Sequence, residues 1–145
     1  MKVLDYCNRE VVVVHKDKTP LDAAVAMREC HSGDVVVVEE VAGKVLPLGI
    51  VTDRDIAVEI VAEQVDPQEI TVKDLLFKPL ITVHQNEDYH LCVRLMKHKA
   101  VRRVPVVDDE GALVGIISVD DIIEQLTEDI SDLAMLFNSP PTKTA

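Results

Sequence analysis

The chain has 145 residues, a formal net charge of −11 and 48% hydrophobic residues that are almost wholly aliphatic, with no Trp and 3% aromatics. That length suits one folded unit burying about 70% of its unfolded surface without a metal or disulfide, and the negative charge argues against nucleic acid or an anionic membrane as a general partner. The longest apolar runs, such as Val11–Val14, fall far short of a bilayer span, and the N-terminus lacks the continuous apolar stretch of a signal peptide. Three cysteines without a CxxC pair suit reduced thiols, so a soluble, cytoplasmic protein is expected.

In chain order, Glu10–His15 ("EVVVVH") is short, β-branched and apolar, and reads as a strand. Thr19 is a natural N-cap with Pro20 at the first helical position, and Pro20, Ala23, Ala24 and Met27 form the i, i+3, i+4, i+7 stripe of a helix with one buried face. Asp34–Glu40 ("DVVVVEE") is a second strand, Gly43 marks a turn, and Pro47–Thr52 ("PLGIVT") is a third; Ile56 and Ile60 begin a further helix stripe. A connector over Glu63–Leu80 follows, in which Pro67 and Pro79 bracket a short helix capped by Thr71. The order then returns: a strand at Leu80–His84, a helix with Tyr89, Cys92, Val93 and Met96 on one face, a strand at Arg103–Asp109, a turn at Gly111, a strand at Leu113–Ser118, and a helix begun by Ile122 and Leu126.

The return is a duplication. Gly49 and Gly115 lie 66 residues apart, as do Thr52 and Ser118, and Asp55 and Asp121; further N-terminally the offset is 69, with Met27 answering Met96 and Val38 answering Val107. The three-residue difference falls in a turn, where insertions are tolerated. An α/β chain of two strand-helix-strand-strand-helix repeats is expected: 1–70 with an N-terminal segment, 71–137, and a flexible tail over 138–145. Neither half looks independent.

Each repeat closes on one motif, "GIVTDRDI" from Gly49 and "GIISVDDI" from Gly115. Ser/Thr-x-x-Asp before an apolar run is a capping-box variant, and Thr19/Asp22, Thr52/Asp55, Thr71/Asp74 and Ser118/Asp121 all fit it. Two of the four follow a glycine and two aliphatics at the end of a strand, where free N–H groups suit an anion and a carboxylate can accept from vicinal ribose hydroxyls. Capping and ligand binding are both open at this point, and they can coexist.

Cys30-His31 and the group His84, His90, Cys92 and His98 lack the paired spacing of a structural zinc site, so no metal is expected. No nucleophile with its base, no GxSxG and no Walker loop occurs, so no catalytic residue is assigned and the chain is not read as an enzyme.

The duplicated unit over about Val11–Glu128, with "GIVTDRD", "GIISVDD" and "RRVPVVD", resembles a tandem pair of CBS (cystathionine β-synthase) domains. The resemblance implies two copies packed through their sheets by pseudo-twofold symmetry, leaving two clefts that take AMP, ADP, ATP or another adenosyl compound such as S-adenosylmethionine. It implies that Asp55 with Thr52 anchors one cleft and Asp121 with Ser118 the other. It also implies that basic residues before the second strand of one copy reach phosphates held by the other copy's Asp. Those positions are Arg102 and Arg103; their counterparts are Gly33 and Asp34, and Arg54 is matched by Asp120, so the Asp55 cleft is expected to be the better phosphate site. A homodimer, with a separate regulated protein as a further partner, is the expected setting. The alternative is a structural dimerisation or protein-interaction module whose clefts are vestigial.

Overall fold

The computed structural model describes residues 1–138 and contains two three-stranded sheets of one topology. In the first, β1 (Val13–His15) runs parallel to β2 (Asp34–Val41), which runs antiparallel to β3 (Lys44–Thr52). In the second, β4 (Val83–His84), β5 (Arg103–Val107) and β6 (Leu113–Ser118) repeat that order. Helices α1 (Pro20–Cys30) and α3 (Tyr89–Lys99) supply the crossovers that parallel strand pairs require. Each hairpin leads into helix: α2 (Asp53–Asp55), continued by a π-helix over Ile56–Val61, and the long α4 (Val119–Asn138). The fold is the α/β duplication that the offsets imply.

Local chemistry accounts for the elements. The central strand β2 buries four consecutive valines, Val35–Val38, because both of its faces are covered. Its hairpin turns through Ala42 and Gly43, both at positive φ (52° and 78°), the two-residue turn whose twist suits paired strands. Both hairpins also slip register at the matching place, between Val37 and Val38 and between Val106 and Val107, so the duplication extends to the irregularities. The helix stripes are narrower than the sequence suggests. Pro20, Ala23 and Met27 are buried on α1, and Cys92 and Met96 on α3, but Ala24 is half-buried and Val93 exposed. A sheet of three short strands offers a narrow surface, and the i+4 position falls beside it. Leu126 is likewise exposed, because α4 leaves the sheet after its first turns.

Two cores form, and each draws on both repeats. Val72 and Leu75, from the 3₁₀ turn Val72–Leu75 in the connector, pack with Val35, Val37 and Val51 of the first sheet. Val3, from the 3₁₀ turn Val3–Asp5, packs with Val104, Val106 and Ile117 of the second. The segments that precede β1 and β4 are therefore exchanged between the sheets, so each core includes residues of the other repeat. Helix α4 runs through Asn138, so the expected tail begins with a helical residue, and the rest of it lies outside the described residues. No helix among the described residues is long and apolar enough to cross a membrane.

Candidate functional site

All four Ser/Thr-x-x-Asp sequences cap a helix start. The carboxylate accepts the backbone N–H of Thr19 at 3.0 Å, Thr52 at 2.9 Å, Thr71 at 3.0 Å and Ser118 at 3.2 Å. In three of them the hydroxyl also donates to that carboxylate: Thr19 to Asp22 at 3.0 Å, Thr71 to Asp74 at 3.2 Å and Ser118 to Asp121 at 2.8 Å. Thr52 is the exception. Its Oγ1 accepts from the Asp55 N–H at 3.1 Å and has no hydrogen bond to a carboxylate among the described residues. The Thr52 hydroxyl proton is left for another acceptor, and Asp55 receives a protein donor on Oδ2 only.

These two residues open onto a cavity of about 470 Å³, within the size range of small-molecule sites. Gly49, Ile50 and Thr52 of β3 form one side, residues 75–81 of the connector another, and residues 100–103 with Pro105 a third; Arg54 and Asp55 complete it. Ile50 opposes Val36, whose N–H is already given to the Val12 carbonyl at 2.9 Å, so this is a non-hydrogen-bonded pair of the antiparallel ladder. The N–H and C=O of Ile50 consequently point away from β2, to the open edge of the sheet. The glycine beside it is needed for close packing: a Cβ on Gly49 would lie 2.7 Å from the Leu76 side chain.

The charges are partly spoken for. The Arg103 guanidinium contacts the carboxylate of Asp34, whose side chain is only 10% exposed, and Arg102 meets Asp120 at 3.5 Å on the surface. Asp34 and Arg103 occupy the same position in the two repeats, so their contact places both beside the pseudo-twofold axis. Burial pushes the Asp34 carboxyl above the ordinary carboxylate range; Arg103 opposes that shift and Asp53 adds to it.

The second motif sits in different surroundings. Asn8 pairs with Ile116, the counterpart of Ile50, donating its N–H to the Ile116 carbonyl at 2.8 Å and accepting the Ile116 N–H at 2.9 Å. The N-terminal segment thus occupies the sheet edge that stays open at Ile50. Phe77, the counterpart of Asn8, instead donates its N–H to the Leu75 carbonyl at 3.1 Å. Two local differences accompany the divergence: the Glu10 N–H closes a turn onto Asn8 Oδ1 at 2.9 Å, whereas the counterparts Pro79 and Phe77 have neither the N–H nor the side-chain acceptor. Asp121 borders a hollow of about 210 Å³ whose lining contains Asp5, Glu124 and Glu128 and no Lys, Arg or His.

The structure therefore gathers Thr52, Arg54, Asp55, Arg102 and Arg103 around one cavity and leaves Ser118 and Asp121 away from it. Sequence reasoning did not anticipate three contributors: Lys78, the Asp34 partner of Arg103, and the N-terminal segment. A signal for the last was present, since the 69-residue offset also relates Lys2 to Thr71, Asp5 to Asp74 and Cys7 to Leu76. Among the described residues no group of three or more His, Cys, Asp or Glu is placed to hold a metal ion.

The sequence profile of the CBS domain matches residues 3–62 and 72–128. The chain belongs to the CBS-domain family, as a tandem pair. An uncharacterized protein of Methanopyrus kandleri is 36% identical over 124 residues, which cover 86% of this chain and 62% of that protein's length. The crystal structure of hypoxic response protein I with two coordinated zinc ions matches with a TM-score of 0.74 at 30% identity, covering 86% of this chain and 98% of that one. A CBS domain protein of Pyrobaculum aerophilum complexed with AMP matches with a TM-score of 0.73 at 25% identity, covering 83% and 89%. CBS domain pairs are generally regulatory, ligand-binding modules.

Proposed function

We propose that this chain is a non-catalytic cytoplasmic regulatory module whose Asp55 cavity binds a phosphorylated adenosine ligand, AMP, ADP or ATP, and passes its occupancy to a second copy or a separate partner protein. The observation that carries this reading is the cavity, where apolar walls meet a carboxylate, a hydroxyl whose proton is uncommitted and three guanidinium groups. Asp55 suits vicinal ribose hydroxyls, which donate, while Thr52, Arg54, Arg102 and Arg103 suit phosphate oxygens, which accept. The open N–H and C=O of Ile50 offer one donor and one acceptor to the edge of a base, with Leu76 and Ile81 as apolar cover. The AMP complex of the Pyrobaculum aerophilum relative supports an adenosine-class ligand. S-adenosylmethionine fits less well, since its sulfonium would enter a cluster of cations. The Asp121 hollow, lined by carboxylates, takes no phosphate in this reading.

Self-association is supported by α4. Ile123, Leu126, Ile130, Leu133 and Phe137 recur at alternating three- and four-residue steps and are 43–91% exposed, the spacing of a helix-pairing seam. The same seam favours the second reading, an interaction module that binds no ligand. Calorimetric titration with adenosine, AMP, ADP and ATP, together with sedimentation of the chain with and without AMP, separates the two. The ligand-binding reading expects one site per chain, lost in Asp55→Ala and retained in Asp121→Ala. Absence of heat with all four ligands and of any sedimentation change with AMP leaves only the interaction module.

A further inference from the structure

The cations of the Asp55 cavity do not all carry free charge. Arg54, Lys78, Arg102 and Arg103 line it, with Asp55 as the one lining carboxylate. Arg103, however, contacts the buried carboxylate of Asp34, and Arg102 meets Asp120. Two cations balanced by two carboxylates leave Arg54 and Lys78 against Asp55, a small positive surplus. The two pairs differ in how firmly they hold. Asp34 is 10% exposed at its side chain and has no other side-chain partner among the described residues, so withdrawing Arg103 would leave a buried charge without a counterion. Arg102 and Asp120 are 76% and 68% exposed, and their pair yields readily to water or to a competing anion.

We propose that Asp34, assisted by Asp120, is a specificity determinant that makes the cavity select a nucleoside monophosphate over the corresponding triphosphate. The inference rests on the nucleotide reading above and deepens it. A phosphate monoester carries a charge of about −1.5 to −2 near neutral pH; the surplus of one positive charge that Arg54 and Lys78 leave over Asp55 meets most of it, and Arg102, whose exposed pair yields to a competing anion, meets the rest. Each further phosphate adds negative charge that Arg103 cannot answer while it neutralises Asp34, and the chain's net charge of −11 opposes it as well. Arg103 keeps donors for a hydrogen bond to the first phosphate, because the recorded contact to Asp34 uses only Nη1.

The test is calorimetric titration of adenosine, AMP, ADP and ATP, without magnesium and at fixed ionic strength, into the wild type, Asp34→Asn and Asp120→Asn. The wild type should bind AMP more tightly than ATP. Asp34→Asn should raise the affinity for ATP relative to AMP by about tenfold, and Asp120→Asn by about threefold, with adenosine affinity unchanged in both. If Asp34→Asn does not fold, the Asp120→Asn ratio decides alone, with the same expected sign. Tighter binding of ATP than AMP by the wild type, or an unmoved ratio in the folded variants, overturns the inference while leaving adenosine and AMP binding intact. Failure of the wild type to bind any of the four overturns the nucleotide reading itself.

Discussion

Asp55 and Asp121 cap their helices with nearly the same geometry, so replacing either separates a structural role from a ligand role. A lost cap costs about 1 kcal/mol. The unfolding entropy is about 2.1 cal/mol/K per residue, which over 145 residues gives about 0.3 kcal/mol/K, so Asp55→Ala and Asp121→Ala should each lower the melting midpoint by about 3 °C. A ligand at a hundred times its dissociation constant adds about 2.7 kcal/mol, or about 9 °C on the same scale. Scanning calorimetry with and without AMP should therefore give similar losses in the free variants. The AMP-dependent rise should survive only in the wild type and Asp121→Ala, because Asp55 faces the cavity and Asp121 lies among carboxylates. A full rise in Asp55→Ala, or its loss in Asp121→Ala, would refute the assignment of the ligand to the Thr52 side.

Other consequences can be measured separately. A Cβ on Gly115 would meet Cys7 Sγ at 2.7 Å and the Asn8 carbonyl oxygen at 2.9 Å, whereas one on Gly49 meets only the Leu76 side chain, which can move. Gly115→Ala should cost about 2 kcal/mol in urea denaturation and speed amide exchange at Asn8 and Ile116, while Gly49→Ala costs less; equal losses would deny the N-terminal segment its place on β6. Burial pushes the Cys92 thiol up to about 11, and Cys30 is exposed, so a thiol reagent at pH 8 should label Cys30 rapidly and Cys92 only on unfolding. Asp34 binds its proton more tightly folded than unfolded, since its carboxyl lies above the ordinary range. Wild-type stability should therefore fall relative to Asp34→Asn as pH rises from about 3.9 through the raised value, and the gap should stay constant above it. A gap that does not change across pH 4–7 counts against this.

The architecture was legible because duplication states each element twice. A single "VVVV" is ambiguous between strand and buried helix, but Val35–Val38 aligned with Val104–Val107, and Gly43 placed near Gly111, leave little freedom. The capping boxes were legible for a similar reason, being local patterns satisfied within three residues. The width of the helix stripes was not. Whether Val93 is covered depends on how far a neighbouring sheet extends, which no periodicity encodes. The exchange of Val3 and Val72 between cores escaped as well, because it is a contact between distant segments, although the 69-residue offset of the two 3₁₀ turns carried the hint.

The site was legible in its residue types and opaque in its asymmetry. Arg54, Arg102 and Arg103 against Asp120, Gly33 and Asp34 already pointed to one cleft richer in positive charge. That comparison treats the repeats as two separate rows of residues, and the structure brings the rows into contact: Asp34 is both what one side lacks and what the other side's arginine holds. The openness of Ile50 goes with two small differences, Phe77 and Pro79 where the other repeat has Asn8 and Glu10. Lacking both the N–H at position 79 and a side-chain acceptor at position 77, the connector cannot close the turn that, around Asn8, accompanies pairing along the sheet edge. The two clefts of the pair therefore differ less through their shared Thr/Ser-x-x-Asp motif than through the segments laid across them. Replacing Phe77 by Asn and Pro79 by Glu together, which restores both partners of the turn, should then alter access to the cavity more than exchanging Thr52 for Ser.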